Sequence, residues 1–184
     1  MKTILIADIY GKTPALLSLA KSLSGEFELL DPYGGEMLNF ADEAHAYEYF
    51  IEHQGIEHYA TSIEHYLRNI TEPVSIVAFS VGAAALWQVS NALSSGQIKS
   101  TYCFYGSQIR HYPTLTPTIP MTLIFPKMEA HFSVPALIEQ LATTTNVTIE
   151  QSVYLHGFMN ECSVNFDPKG MQHYLSFIQS RAEN

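Results

Sequence analysis

Cysteine, positive charge and long apolar runs are all scarce in this chain, and each scarcity excludes something. Two cysteines, Cys103 and Cys162, are too few for a disulfide framework. Nine Lys and Arg stand against 18 Asp and Glu, a net charge of −9. Nucleic-acid affinity comes mainly from cationic contacts with phosphate, so no nucleic-acid partner is expected. No apolar run approaches the roughly 20 residues of a membrane span, so no membrane partner is expected either. The opening run, Met1 to Ala7, is cut by Asp8 before it can serve as a secretory core, which predicts a cytoplasmic protein. Linkers, repeats and low-complexity stretches are also missing. What remains is 184 residues at 47% hydrophobic, long enough and apolar enough for one domain spanning 1–184 with a proper core.

Short β-rich runs alternate with helical patterns. Residues 3–8 read as a strand buried on both faces. Thr13-Pro14 reads as an N-cap and first helical residue, and Leu16, Leu19, Ala20 and Leu23 mark an apolar face that Gly25 closes. Phe27–Leu30 is a second strand, ending at the turn signal Asp31-Pro32-Tyr33-Gly34-Gly35. Residues 41–70 predict helix in two pieces broken near Gly55. Their four histidines, His45, His53, His58 and His65, share no close i, i+4 spacing, so they read as surface residues and no metal site is expected. Strands follow at 74–79, 100–105, 121–125 and 147–155. The helix after Ser80 is expected to run to about Ser94, and a proline-rich loop spans 107–120. Asp167-Pro168 opens a final helix. Strands separated by helices predict an α/β fold, a three-layer, doubly wound parallel sheet of about six strands.

One stretch carries the strongest chemical signal. Val74 to Phe79 is strand, Ser80 is the turn, and Val81 to Trp87 is helix, with Ala78 and Gly82 as small residues flanking the serine. Small residues let strand and helix close around a sharp corner that presents the hydroxyl beyond the sheet. By itself this is equally an ordinary turn whose serine caps a helix. Two further residues change the balance. Glu129 follows the fifth strand and His156 ends the sixth. Active groups in such sheets gather at the carboxyl ends of the strands. A serine needs a base, and the base needs a carboxylate to fix its tautomer. Ser80, Glu129 and His156 therefore form the candidate catalytic set. Backbone donors for an oxyanion would be Val81 and, from the loop after the first strand, Ile9 or Tyr10.

Several segments match a known pattern. Ile4 to Gly11 gives a strand and an acid-x-aromatic-Gly loop. Leu29 to Gly35 contains Asp-Pro-Tyr-Gly-Gly. Ala78-Phe79-Ser80-Val81-Gly82 is the elbow, Cys103-Phe104-Tyr105-Gly106 ends the fourth strand, and His156-Gly157-Phe158 follows the last. Together they resemble the dienelactone hydrolase family of the α/β-hydrolase fold, over nearly the whole chain. The resemblance implies a small serine hydrolase acting on an ester or lactone, with no cofactor and with Ser80, Glu129 and His156 as nucleophile, acid and base. It sets Asp8 where Cys-type members carry a Glu that interacts with the nucleophile's proton. It also implies a minimal α/β-hydrolase fold lacking the N-terminal hairpin, with a sheet edge open to a second subunit in a homodimer. The family's namesake substrates carry carboxylates held by arginines. Here Arg110, after the fourth strand, and Lys127 are the cationic candidates for substrate binding. Two other readings stay open: a hydrolase fold kept as a binding module, and thiol chemistry at Cys103 or Cys162.

Overall fold

Six β-rich runs pair into one sheet in the computed structural model, which describes residues 1–94 and 96–182. They are β1 (Lys2–Ile6), β2 (Phe27–Leu30), β3 (Val74–Phe79), β4 (Ile98–Phe104), β5 (Met121–Phe125) and β6 (Val147–Gln151). All pair in parallel, in the order β2-β1-β3-β4-β5-β6. Parallel neighbours need crossovers. Helices provide most of them: α1 (Pro14–Ser22) leads to β2, α2 (Glu43–His53) and α3 (Gly55–Arg68) to β3, α4 (Val81–Val89) to β4 and α5 (Val134–Leu141) to β6, while β4 reaches β5 through a segment without an α-helix and α6 (Pro168–Ala182) follows β6. None of the described helices is long and apolar enough to cross a membrane.

Both faces of the sheet are covered, and the period-two alternation of the strands sorts side chains between them. Ile4, Ile6, Ile76 and Ala78 join Phe50 of α2, Ile63 of α3, Trp87 of α4 and Leu137 of α5 in one core. Leu5, Val77, Phe79 and Phe104 join Leu19 of α1 with Tyr174 and Ile178 of α6 in the other. β3 is buried at all six positions, as a central strand of such a sheet must be. Each fully buried Leu, Ile or Val there contributes roughly 1.5–3 kcal/mol. The Thr13 hydroxyl accepts from the Leu16 N–H at 3.0 Å, with Pro14 at the first helical position, which starts α1 where the sequence indicated.

Two elements end sooner than expected. α4 stops at Val89 instead of near Ser94, where the carbonyl of its C-cap, Ser90, is claimed from outside the helix. The Thr118 N–H and hydroxyl both donate to the Ser90 carbonyl, at 3.0 and 2.8 Å. β6 stops at Gln151 instead of Leu155. The Ser152 hydroxyl accepts from the Tyr154 N–H at 3.3 Å and turns the chain out of the ladder. His156 therefore lies on a loop beyond the last strand. Within the proline-rich segment, Ser107–His111 forms a short 3-10 turn.

The order places β1 beside β3, and the chain leaves these two strands toward opposite faces: into α1 on one and into α4 on the other. Open α/β sheets bind ligands at such a switch point, outside the carboxyl ends of the strands. The loop after β1 and Ser80 after β3 meet there.

Candidate active site

Ser80 occupies a backbone conformation that serine rarely adopts, φ 48° and ψ −116°. The corner is held from three sides. The Ser80 N–H donates to the Phe104 carbonyl at 2.9 Å, and its carbonyl accepts from the Ala84 N–H at 3.0 Å. Gly82 is the third constraint. A Cβ there would stand 2.3 Å from the Ala7 carbonyl oxygen, so α4 can lie this close to β1 only without one. Ala78 is fully buried in the ladder, paired with Ile6 and Cys103, and its methyl is accommodated.

The side chains predicted at three strand ends converge. Ser80 Oγ lies 3.0 Å from His156 Nε2, and His156 Nδ1 lies 2.7 Å from Glu129 Oε1. Ser107, opening the 3-10 turn after β4, joins them: its hydroxyl donates to Glu129 Oε1 and sits 3.2 Å from His156 Nδ1. Burial pushes the Glu129 carboxyl up. The hydrogen bond and charge of His156, the Ser107 hydroxyl and Arg110 outweigh it, and leave the group below its ordinary 4.5. The Tyr105 ring packs 4.9 Å from the imidazole, and the Asn165 amide donates to the His156 carbonyl at 3.0 Å. Gly157 adopts φ 82°, and a Cβ on it would meet the Ser163 hydroxyl at 2.5 Å, so the residue after the histidine must be glycine for this loop to close.

Asp8 ends up behind the serine, 9% exposed. Its carboxylate accepts from the Tyr10 N–H at 3.0 Å and from the Asn160 amide at 2.6 Å. Burial pushes its carboxyl up, against the pull of those two donors and of His156. Asp8 thus ties the loop after β1 to the loop carrying His156, and the Tyr10 hydroxyl adds a bond to the Cys162 carbonyl at 3.2 Å. Because Asp8 takes the Tyr10 N–H, that group is removed from the candidate oxyanion donors. Ile9 remains, and its carbonyl is held by the Tyr33 hydroxyl at 2.6 Å.

A cavity of about 640 Å³ opens above these groups. Ile9, Tyr47, Phe50 and Val81 form its apolar wall, and Gln108, Arg110 and His131 its polar one. Arg110 reaches it while donating to the Ser107 carbonyl at 2.8 Å and lying 5.0 Å over the Phe132 ring. Lys127, expected to bind substrate, does not line it. The chain turns out at Pro126, the Lys127 N–H donates to the Tyr154 carbonyl at 2.7 Å, and the Lys127 side chain is left exposed. His45, His53, His58 and His65 are exposed, and among the described residues no three His, Cys, Asp or Glu side chains are grouped to hold a metal. The cysteines also lie outside the cavity. Burial pushes the Cys103 thiol far up, and desolvation and Asp8 raise that of Cys162, although the residue is largely exposed. Thiol chemistry has no support here.

Ser107, Asn160 and Tyr33 were not singled out from the sequence. Tyr33 had a signal, since it sits in the Asp-Pro-Tyr-Gly-Gly turn, where Asp31 caps the N–H groups of Tyr33 and Gly35.

The sheet order, the elbow after β3 and the placement of the three side chains define an α/β-hydrolase fold. Alpha/beta hydrolase domain-containing protein 10 from mouse superposes with a TM-score of 0.67 at 10% identity, over 99% of this chain and 89% of that one. Dienelactone hydrolase from Anabaena variabilis gives 0.61 at 15%, over 98% and 84%. Est1E from Butyrivibrio proteoclasticus gives 0.60 at 10%, over 100% and 88%. No protein-family model matches the sequence. The chain belongs to the family of the uncharacterized protein YczH of Bacillus subtilis (strain 168), with 31% identity over 188 residues, covering 98% of this chain and 92% of that protein.

Proposed function

We propose that the protein is a serine hydrolase that cleaves a carboxylic ester or lactone through an acyl-enzyme on Ser80. The observation that carries this reading is the continuous relay from Ser80 Oγ through His156 to Glu129, at 3.0 and 2.7 Å. Both distances lie within the reach that proton transfer needs. His156 Nε2 takes the proton of Ser80 as Oγ attacks the carbonyl carbon. Glu129 accepts from Nδ1–H, fixes the tautomer and stabilises the imidazolium. The N–H groups of Val81 and Ile9 receive the developing oxyanion, Val81 from the head of α4, where the dipole favours negative charge. The imidazolium then protonates the leaving oxygen. Water, activated by the same histidine, cleaves the acyl-enzyme and restores Ser80. Hydrolases among the fold neighbours are in keeping with this chemistry, and the open cavity suits a small substrate.

A fluorophosphonate probe tests it together with short-chain p-nitrophenyl esters. Wild-type protein is expected to be labelled on Ser80 and to release p-nitrophenol, and Ser80→Ala to do neither. Folded wild-type protein that is neither labelled nor hydrolytic would instead favour a binding module.

A further inference from the structure

We propose that Ser107 is a positioning residue of the relay: its hydroxyl holds the Glu129 carboxylate at the oxygen that His156 Nδ1 addresses. This rests on the function proposed above.

A glutamate has one more rotatable bond than an aspartate, and so more freedom to lose when its carboxylate is fixed. Its Oε1 here receives two donors, the His156 Nδ1–H and the Ser107 hydroxyl. A hydroxyl donating to an ionised acceptor makes one of the stronger protein hydrogen bonds. The Glu129 side chain is 14% exposed, so water competes weakly for that oxygen. Ser107 itself is well anchored. Its N–H donates to the Tyr105 carbonyl at 2.9 Å, and its carbonyl accepts from Arg110 Nη1 at 2.8 Å. The preceding Gly106 lets this turn close against α4, since a Cβ there would stand 2.9 Å from Ile109 and 3.2 Å from Ala83. Position, rigidity and donor direction all converge on one carboxylate oxygen. The alternative acceptor of the hydroxyl, the Tyr105 carbonyl at 3.4 Å, is a weaker partner. Ser107 is no second nucleophile, because the imidazole nitrogen beside it is the one committed to Glu129.

The test combines kinetics with a readout that does not need turnover. Ser107→Ala is expected to lower kcat about tenfold and leave KM within about twofold, the pattern of a group that supports the transition state without binding substrate. The acid limb of its pH–rate profile should move to lower pH, because a loosened carboxylate stabilises the imidazolium less. Ser107→Thr, which keeps the hydroxyl, should stay within about threefold of wild type. In a Glu129→Gln background the alanine change should cost little more, since coupled residues are not additive. The His156 imidazole titration, followed by NMR in the whole protein, should move in the same direction in Ser107→Ala. Ser107→Cys, a weaker donor of similar size, should shift it with the same sign if the alanine variant fails to fold. An unmoved titration, or effects of Ser107→Ala and Glu129→Gln that simply multiply, would overturn the proposal. A wild-type protein inactive on every ester would sink the proposed function, and the NMR titration would still decide the role of Ser107.

Discussion

At the scale of single residues, the proposed reaction depends on two short links, Ser80 to His156 and His156 to Glu129, and on the charge at their far end. Replacing Ser80 by Ala removes the nucleophile and nothing else from the relay. Ester turnover should fall by about four orders of magnitude or more, with the circular dichroism spectrum unchanged. Glu129 also has a thermodynamic signature. Its carboxyl titrates below the ordinary 4.5, so ionised Glu129 favours the folded state. That contribution is fully present above the unfolded value and is lost as pH falls through the folded one. Urea midpoints of wild type and Glu129→Gln should therefore differ most at neutral pH and converge as the pH falls below the ordinary 4.5 and through the lower folded-state value. A gap that stays constant with pH would contradict this. Ser80, Glu129 and His156 were legible in the sequence because each follows a recognisable strand. Ser107 was not. Serine after a strand is ordinary, and only the β4–β5 register, with Phe104 opposite Ile124, brings residue 107 beside residue 129.

At the scale of elements, the strand–turn–helix of β3 and α4 is the part with least tolerance. Gly82 meets main chain of β1, which cannot move aside without disturbing the sheet. Gly82→Ala is expected to cost about 3 kcal/mol or more, read from urea denaturation, and to lower probe labelling of Ser80 in the fraction that remains folded. The loop after β6 is held differently. At Gly157 the constraint is a positive φ together with a side chain, Ser163, whose hydroxyl and Cβ would stand 2.5 and 2.9 Å from an added Cβ. Gly157→Ala should cost about 1–3 kcal/mol in strain and reduce kcat by displacing His156. Six strands and the helices between them could be read from apolar runs and turn residues. The ends of α4 and β6 could not, because Thr118 and Ser152 set them through hydrogen bonds that leave no periodic trace. The same holds for the Tyr10 N–H, whose capture by Asp8 depends on the local turn and not on residue type.

At the scale of the whole molecule, charge and topology matter most. A net charge of −9 surrounds a cavity that itself contains Glu43 and Glu129 alongside Arg110. Repulsion should slow the encounter with anionic esters and be relieved by screening. kcat/KM for a carboxylate-bearing ester should rise several-fold between 10 and ~200 mM salt, while a neutral ester of similar size should change little. A fall with salt for the carboxylate-bearing ester alone would show instead that Arg110 dominates the approach. The sheet order has a further consequence. Asn160 reaches Asp8 and Tyr10 reaches Cys162, each across 152 positions, so two segments far apart in the sequence are tied together beside the site. A protein made from its N-terminus displays Ser80 on the ribosome long before His156 has been synthesised. On the proposed mechanism the nascent chain carries an elbow without its base until the loop bearing His156 has been made and docked, so labelling of Ser80 would report folding as much as catalysis.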